Sequence, residues 1–206
     1  MKLKLSIFVA LFLFSNFLKA QSSATSLNFG DLVVADSSST IIIPTVYEKL
    51  LTSNKFLIWN NIYSNIIFYN FKDDSSKKLF EEDTYITGFD KINNHSKRNN
   101  DVNNSITSKW IFYKIMNFDR NKNDKIDSDD PCILYVSDLN GNGLKSLTSS
   151  EENVISYEIY EKMKIAMVKI QRDLNKDGNF TSKDTDYYYL KLDLNTLTFG
   201  KKIEIK

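Results

Sequence analysis

Two twelve-residue stretches of this 206-residue chain place oxygen-bearing side chains in the same pattern, 54 residues apart. We call them loop one (119–130, DRNKNDKIDSDD) and loop two (173–184, DLNKDGNFTSKD). Both carry Asp, Asn or Thr at positions 1, 3, 5, 9 and 12 and an apolar residue at position 8. Oxygen groups at this spacing surround one cation only if the backbone curls tightly, so the pattern restricts the conformation of both segments.

The spacing is typical of a calcium site. Ca²⁺ takes about six to eight oxygen ligands at about 2.3–2.6 Å, from side chains at positions 1, 3, 5, 9 and 12 and from the backbone carbonyl at position 7. The predicted ligands are Asp119, Asn121, Asn123, Lys125, Asp127 and Asp130 in loop one, and Asp173, Asn175, Asp177, Asn179, Thr181 and Asp184 in loop two. Lys125 and Asn179 occupy position 7 and would contribute carbonyl oxygens.

Position 6 differs between the two loops, although the tight bend there asks for a positive φ in both. Gly178 adopts this conformation freely, whereas Asp124 does so at a moderate steric cost. The sequence therefore predicts that loop two comes closer to the geometry that the ion requires.

The two loops resemble EF-hand calcium loops, and Asp rather than Glu at position 12 makes them similar to the loops of dockerin modules. The resemblance covers only the twelve residues of each loop and implies Ca²⁺ as the bound ion. The alternative is a pair of acidic surface turns without an ion, because Asp, Asn and Gly favour turns in any case.

The segments that flank both loops are predicted to be β-strands. Residues 110–118 and 164–172, before the loops, are rich in β-branched and aromatic residues. After loop one, Pro131 obstructs a continuing helix, and after loop two residues 187–194 alternate with a period of two. A helix remains the alternative before loop two, because one apolar set there also fits a helical face. That set is Ile155, Ile159, Met163, Met167 and Ile170.

Each loop and its strands belong to a longer repeat. Both loops are followed by a strand that ends in Asp-Leu-Asn, at 138–140 and 193–195, and a weaker copy without a calcium loop lies upstream at 55–80. Repeats of this length predict stacked supersecondary units. The units here would be β-meanders over about 40–88, 109–150 and 154–206.

Residues 133–148 (ILYVSDLNGNGLKSLT) resemble the outer hairpin of a blade in Tol-Pal-type periplasmic β-propellers, with a fainter echo at 65–80. The resemblance implies blade-like sheets and carries no catalytic residues. Three units are fewer than the about four to eight blades of a closed propeller. We therefore predict one all-β domain over 21–206, built from antiparallel blade-like β-meander repeats as an incomplete β-propeller or a twisted stack of sheets.

A third stretch, from Asp138 to Gly143, has oxygen groups at positions 1, 3 and 5 and a glycine at position 6. It lacks a carboxylate at position 12, where Ser149 stands, and its Asn-Gly pairs favour a tight turn. We therefore predict a hairpin turn here and no ion.

The first 20 residues are typical of a secretory signal peptide. Lys2 and Lys4 precede an apolar run from Leu5 to Phe14, and Ala20 supplies a small residue for cleavage. The alternative, a membrane anchor, needs about 20 apolar residues, which is longer than this run. We expect a bacterial protein that is secreted or periplasmic after cleavage near Ala20, with no membrane span in the mature chain.

Charge argues against a nucleic-acid partner. The formal net charge is +1, and removal of the 20 residues takes away three lysines and no acid, which leaves −2. A near-neutral surface gives no electrostatic reason to bind nucleic acid or anionic lipid.

The remaining reactive residues do not form a recognisable catalytic set. Cys132 is the only cysteine, and its place in a β-rich run predicts a buried, inert thiol. His95 is the only histidine, and it lies in a polar, Asn-rich segment (89–108) that we expect to be a mobile loop.

The sequence therefore predicts a secreted, non-enzymatic calcium-binding β-repeat protein, in which the ions brace inter-strand loops and shape a surface for a protein or glycan partner. The alternative is a polysaccharide-active hydrolase or its accessory subunit. Such an enzyme needs two carboxylates about 5–10 Å apart across a cleft. Its candidates would be the pairs Glu81–Glu82 and Glu151–Glu152.

Overall fold

The computed structural model describes residues 27–34, 38–47, 62–89 and 109–204. Within these residues the chain is all-β, as predicted, with antiparallel strands in two sheets and one 3-10 turn at Glu161–Met163. The strands of the first sheet are β1 (Leu27–Phe29), β2 (Val33–Val34), β3 (Thr40–Tyr47), β4 (Tyr63–Asn70), β5 (Ser75–Lys78), β6 (Tyr85–Phe89), β7 (Trp110–Met116), β8 (Ile133–Asp138) and β9 (Lys145–Ser146). The strands of the second sheet are β10 (Glu152–Tyr160), β11 (Ile165–Arg172), β12 (Tyr187–Asp193) and β13 (Thr198–Glu204).

The first sheet consists of two meanders with a narrow connection. In the first meander, β3 pairs with β4, β1 and β2 pair with β3, and β5 pairs with β4. In the second meander, strands β6 to β9 pair in chain order. The connection between β4 and β6 is a single residue pair, Tyr63 with Ile86. By contrast, β6 pairs with β7 over four residue pairs, so β6 belongs with the second meander and not with the predicted unit 40–88.

Phe89 also differs from its predicted place at the start of a polar loop. It is the last residue of β6, pairs with Tyr113 and is buried, because its ring packs against Tyr63 and Tyr113. The rest of the predicted mobile loop, including His95, lies outside the described residues, as do the predicted signal peptide and residues 55–61 of the weaker repeat copy.

The second sheet is a regular four-stranded meander in the order β10-β11-β12-β13. Strand β12 alternates as predicted, with Tyr188, Leu190 and Leu192 buried between more exposed neighbours. The helical alternative for 155–170 is wrong. Its residues fall on β10, the 3-10 turn and β11, because the antiparallel pairing of β10 with β11 satisfies the backbone of both segments.

The two sheets pack face to face on strand β7, which is buried on both sides. Ile111 and Ile115 lie in a cluster with the first meander, whereas Phe112 and Met116 lie in a cluster with the second sheet. The residues that the second sheet and the turn after β12 contribute to this inter-sheet core are Val154, Ala166, Val168, Ile170, Tyr188, Leu190, Leu192 and Leu194. Neither sheet closes on itself within the described ranges, so the described architecture is an open stack.

Two smaller predictions are confirmed. The stretch from Asp138 to Gly143 is a hairpin turn, because β8 pairs with β9 on either side of it. Cys132 is a free, buried cysteine, and burial raises the pKa of its thiol, which disfavours the reactive thiolate. In the described part of the chain, no helix has the length and apolar character needed to cross a membrane.

Candidate metal sites in two inter-strand loops

Loops one and two occupy equivalent places in the fold. Loop one connects β7 to β8, and loop two connects β11 to β12. Each therefore joins the second and third strands of a four-stranded meander, β6–β9 or β10–β13. The prediction that both loops connect β-strands rather than helices is confirmed.

The two loops share one internal hydrogen-bond pattern. In both, the side-chain oxygen atoms at the predicted ligand positions accept backbone N–H groups of the same loop, a local bonding pattern that stabilises the bend. In loop one the bonds are Asp124 N to Asp119 Oδ2 (2.9 Å), Asn123 N to Asn121 Oδ1 (3.0 Å), Lys125 N to Asn123 Oδ1 (2.9 Å) and Asp129 N to Asp127 Oδ1 (3.0 Å). In loop two they are Gly178 N to Asp173 Oδ2 (2.9 Å), Asp177 N to Asn175 Oδ1 (3.1 Å), Asn179 N to Asp177 Oδ1 (2.8 Å) and Lys183 N to Thr181 Oγ1 (3.2 Å).

The carboxylate at position 12 ties the end of each loop to its beginning. Asp130 accepts the N–H groups of Arg120 and Asp127, each at 2.9 Å. Asp184 accepts those of Leu174 at 3.1 Å and Thr181 at 2.9 Å. Asp130 is 2% exposed and Asp184 is 1% exposed, so both carboxylates lie inside the loop. The short Asp side chain thus reaches the loop interior in both cases.

The loop backbones also match. Position 6 has a positive φ in both, 62° at Asp124 and 79° at Gly178, as the sequence predicts. Position 4 has one too, 58° at Lys122 and 62° at Lys176, which the sequence analysis missed. Lysine seldom adopts a positive φ, so a lysine at position 4 gives no sign in the sequence that the backbone there is left-handed.

In loop one, burial and neighbouring carboxylates disfavour the charged form of Asp130. Burial raises the pKa of Asp130, and the charges of Asp119 and Asp127 raise it further, while the backbone N–H groups that it accepts act in the opposite direction. In loop two the N–H of Asn179 lowers the pKa of Asp177, which favours the carboxylate form at position 5. A divalent cation would stabilise the charged form of all these groups.

Position 1 distinguishes the two loops. Asp119 Oδ1 accepts a further bond from Asn123 N at 3.1 Å. Asp173 Oδ1 is buried and has no hydrogen-bond partner. A buried carboxylate oxygen without a partner costs about 1–3 kcal/mol or more, unless a cation or another donor satisfies it. Asp173 is the residue that the sequence predicts as the position 1 ligand of loop two.

A carboxylate-only metal centre does not account for these sites. Within the described ranges, no group of three or more His, Cys, Asp or Glu side chains is placed to hold an ion by itself. Each loop would need its Asn or Thr oxygens and the position 7 carbonyl as well. A set made only of oxygen ligands suits Ca²⁺, whereas zinc sites are usually built with Cys or His.

The two loops contact each other. Asn121 Nδ2 donates to Asn179 Oδ1 at 2.8 Å, and Phe180 N donates to the Asp129 carbonyl at 2.7 Å. The backbone of Gly178 packs so closely on loop one that a Cβ there would lie 3.3 Å from Arg120 O. The sequence analysis did not predict this contact, because nothing in the spacing shows that the loops are neighbours.

Loop two is also anchored to its own sheet by a buried glutamine that the sequence analysis missed. Gln171 Nε2 donates to the carbonyls of Thr181 (2.8 Å) and Asp184 (2.9 Å). Asn153 Nδ2 donates to Gln171 Oε1 at 2.9 Å, and Cys132 N donates to Asn153 Oδ1 at 2.9 Å. This chain of bonds connects the end of loop two to β10 and to the start of β8.

The two acidic pairs that were the candidates for hydrolysis lie outside loops one and two. Glu151 binds Arg120 through both carboxylate oxygens, and Glu152 accepts a bond from Lys202 at 3.3 Å. Glu81 and Glu82 are both exposed. Glu151 and Glu152 therefore each contact a different basic side chain.

A polar cleft of about 460 Å³ lies where the first meander meets the turn between β8 and β9. Most of its lining groups are hydroxyls and amides, with one lysine and one phenylalanine. They are Ser39, Thr40, Phe68, Asn70, Ser75, Ser76, Lys77, Asn140 and Asn142.

Comparison with known proteins gives little on which to place the chain. No family model matches it, and no curated protein matches it significantly. Among solved structures, it is similar to an oligogalacturonate lyase in complex with manganese, with a TM-score of 0.45 and 7% sequence identity. The alignment covers 86% of this chain and 41% of the lyase, so the chain spans less than half the length of that protein.

Proposed function

We propose that this chain is a non-enzymatic calcium-binding β-sheet protein in which loops one and two each hold one Ca²⁺. The observation that carries the proposal is the unpartnered, buried Oδ1 of Asp173, in a loop whose other predicted ligand side chains accept backbone N–H groups of the same loop. The same bonding pattern in loop one supports a second site.

The role of the ion would be to brace the connection between neighbouring strands. Both loops end in a carboxylate that closes the loop on itself, and Ile126 of loop one packs against the core between the two sheets. Because the ligands are held together only in the folded chain, ion binding adds to the free energy of unfolding. A protein or glycan partner is part of this proposal, and the surface that we propose for it is the cleft beside β5, which is lined mostly by hydroxyl and amide side chains.

Isothermal titration calorimetry of EDTA-treated protein with CaCl₂ tests the calcium proposal. We expect two bound ions per chain and a higher melting temperature in calcium. Magnesium is the control ion, and it should bind more weakly, because it prefers a smaller octahedral cage. Absence of both binding heat and a melting shift in calcium would show that the loops are acidic turns.

The alternative, a polysaccharide-active hydrolase or its accessory subunit, is tested by an activity screen on plant and microbial glycans. Hydrolysis that disappears in Glu151→Gln or Glu152→Gln, with an unchanged melting temperature, would favour the enzyme.

Export stays a prediction that rests on residues 1–20, and N-terminal sequencing of protein from the periplasm or medium is its test.

A further inference from the structure

We propose that the two loops bind calcium as one coupled unit, in which an ion in loop two holds Asn121 in place as a ligand of loop one. This inference rests on the proposed function and adds an energetic dependence between its two sites. Three contacts between the loops carry it.

The first contact joins a predicted ligand of one site to the other site. Asn121 is at position 3 of loop one, and its Nδ2 donates to Asn179 Oδ1 at 2.8 Å. Because an amide group is planar, fixing Nδ2 also fixes the Oδ1 that would face the ion of loop one. Asn179 is at position 7 of loop two, where the backbone carbonyl is the predicted ligand, so an ion there fixes the residue that holds Asn121.

The second contact reaches the closing carboxylate. Phe180 N donates to the carbonyl of Asp129, the residue directly before Asp130. Phe180 is 5% exposed, so this contact lies in a buried part of loop two. Order in loop two is therefore transmitted to position 12 of loop one as well as to position 3.

The third contact is steric. Gly178 lies against the backbone of Arg120 and Asn121, where a Cβ would be 3.3 Å from Arg120 O and from Asn121 Cα. Loop one therefore rests on the bend of loop two. An empty loop two that loses this bend would also remove a surface on which loop one is formed.

Coupling of this kind appears as a change in affinity that is the same in both directions, typically at least about fivefold. Calcium titration of the full chain and of single-loop variants measures it. In Asp173→Ala, which disables loop two, we expect loop one to bind at least about fivefold more weakly than in the unaltered chain. In Asp119→Ala, reciprocity requires loop two to weaken by the same factor.

Asn179→Ala is the sharper variant, because it removes the side chain that holds Asn121 and keeps the carbonyl ligand of loop two. It also removes a bond from Asn179 Nδ2 to Asp177 O, so the affinity of loop two is measured in parallel, in Asp119→Ala with and without Asn179→Ala. We expect two ions still to bind, with loop one weakened by about fivefold. Ser182→Ala, an exposed position in the same loop, is the matched control and should leave both affinities unchanged.

The outcomes separate this inference from the proposed function. Two ions that bind with affinities unaltered by the single-loop variants and by Asn179→Ala would overturn the coupling and leave calcium binding intact. No calcium binding in the unaltered chain would overturn both. Circular dichroism of each variant shows whether the fold is retained, and Asn179→Ala decides the question if Asp173→Ala does not fold.

Discussion

Loops one and two have the same backbone course and the same closing bonds, yet they treat the position 1 carboxylate differently. In loop one, Asp119 Oδ1 is bonded to Asn123 N, and an Asp occupies the bend. In loop two, Asp173 Oδ1 is buried without a partner, and a glycine occupies the bend. The loop that satisfies its own oxygens needs an ion less, so we expect loop two to depend more on calcium.

The largest expected effect concerns what the loops share. Asp130→Ala and Asp184→Ala should each lower the free energy of unfolding by about 2–6 kcal/mol in EDTA, because each leaves two backbone N–H groups without a charged partner, at about 1–3 kcal/mol each. Urea unfolding of both variants measures this. Asp184→Asn keeps one acceptor oxygen and should lose less. A clear difference between the two Ala variants would break the equivalence of the loops.

The second prediction concerns how they differ. A site filled at a hundredfold excess of calcium over its Kd adds about 2.7 kcal/mol to the free energy of unfolding. Asp173→Ala should remove more of the calcium-dependent shift in melting temperature than Asp119→Ala, because Asp173 Oδ1 has no other donor whereas Asp119 Oδ1 accepts Asn123 N. Melting curves in calcium and in EDTA measure both. An equal loss would remove the ranking of the loops, and a larger loss in Asp119→Ala would reverse it.

The third prediction concerns the bend. Gly178→Ala should destabilise the protein by about 1–2 kcal/mol, because an L-residue at this positive φ is strained and its Cβ would crowd Arg120 O. Asp124→Gly should stay within about 0.5 kcal/mol of the unaltered chain, since relief of the same strain is offset by the greater freedom of glycine when unfolded. Chemical denaturation without calcium measures both, and equal effects would show that the bends are equally constrained.

The smallest expected effect is in the hairpin turn after β8, which serves as a third loop for comparison. Asp138 accepts the N–H groups of Asn140 (2.9 Å) and Asn142 (2.7 Å). This turn has no carboxylate at position 12 that could close a calcium site. Asp138→Ala should leave the calcium-dependent melting shift unchanged, although it loses these bonds. A reduced shift would mean that this turn also binds the ion.

Several elements could be predicted from the sequence because their determinants are local. The alternation in 187–194 reflects one buried and one exposed face of β12, and Pro131 excluded a helix after loop one. The bend at Gly178 and Asp124 followed from the tolerance of these residues for a positive φ. Each of these features depends on residues a few positions apart.

Other elements could not be predicted because their partners are distant in the chain. The placement of β6 with β7 depends on which neighbour offers the longer register, since Tyr63 and Ile86 alone connect it to β4. Gln171 looked like an ordinary strand residue, and its role follows only from the position of Thr181 and Asp184 around it.

By itself, the sequence determined the spacing of oxygen groups in the two loops, the period of the strands and hence the all-β class, because these properties are fixed by neighbouring residues and by backbone sterics. Only the tertiary structure decided that loop one and loop two lie against each other, with Asn121 bonded to Asn179. It also decided that the Asp173 Oδ1 atom is buried without a donor. The physical reason is that burial and contact arise from the face-to-face packing of two sheets, which brings together residues 58 positions apart.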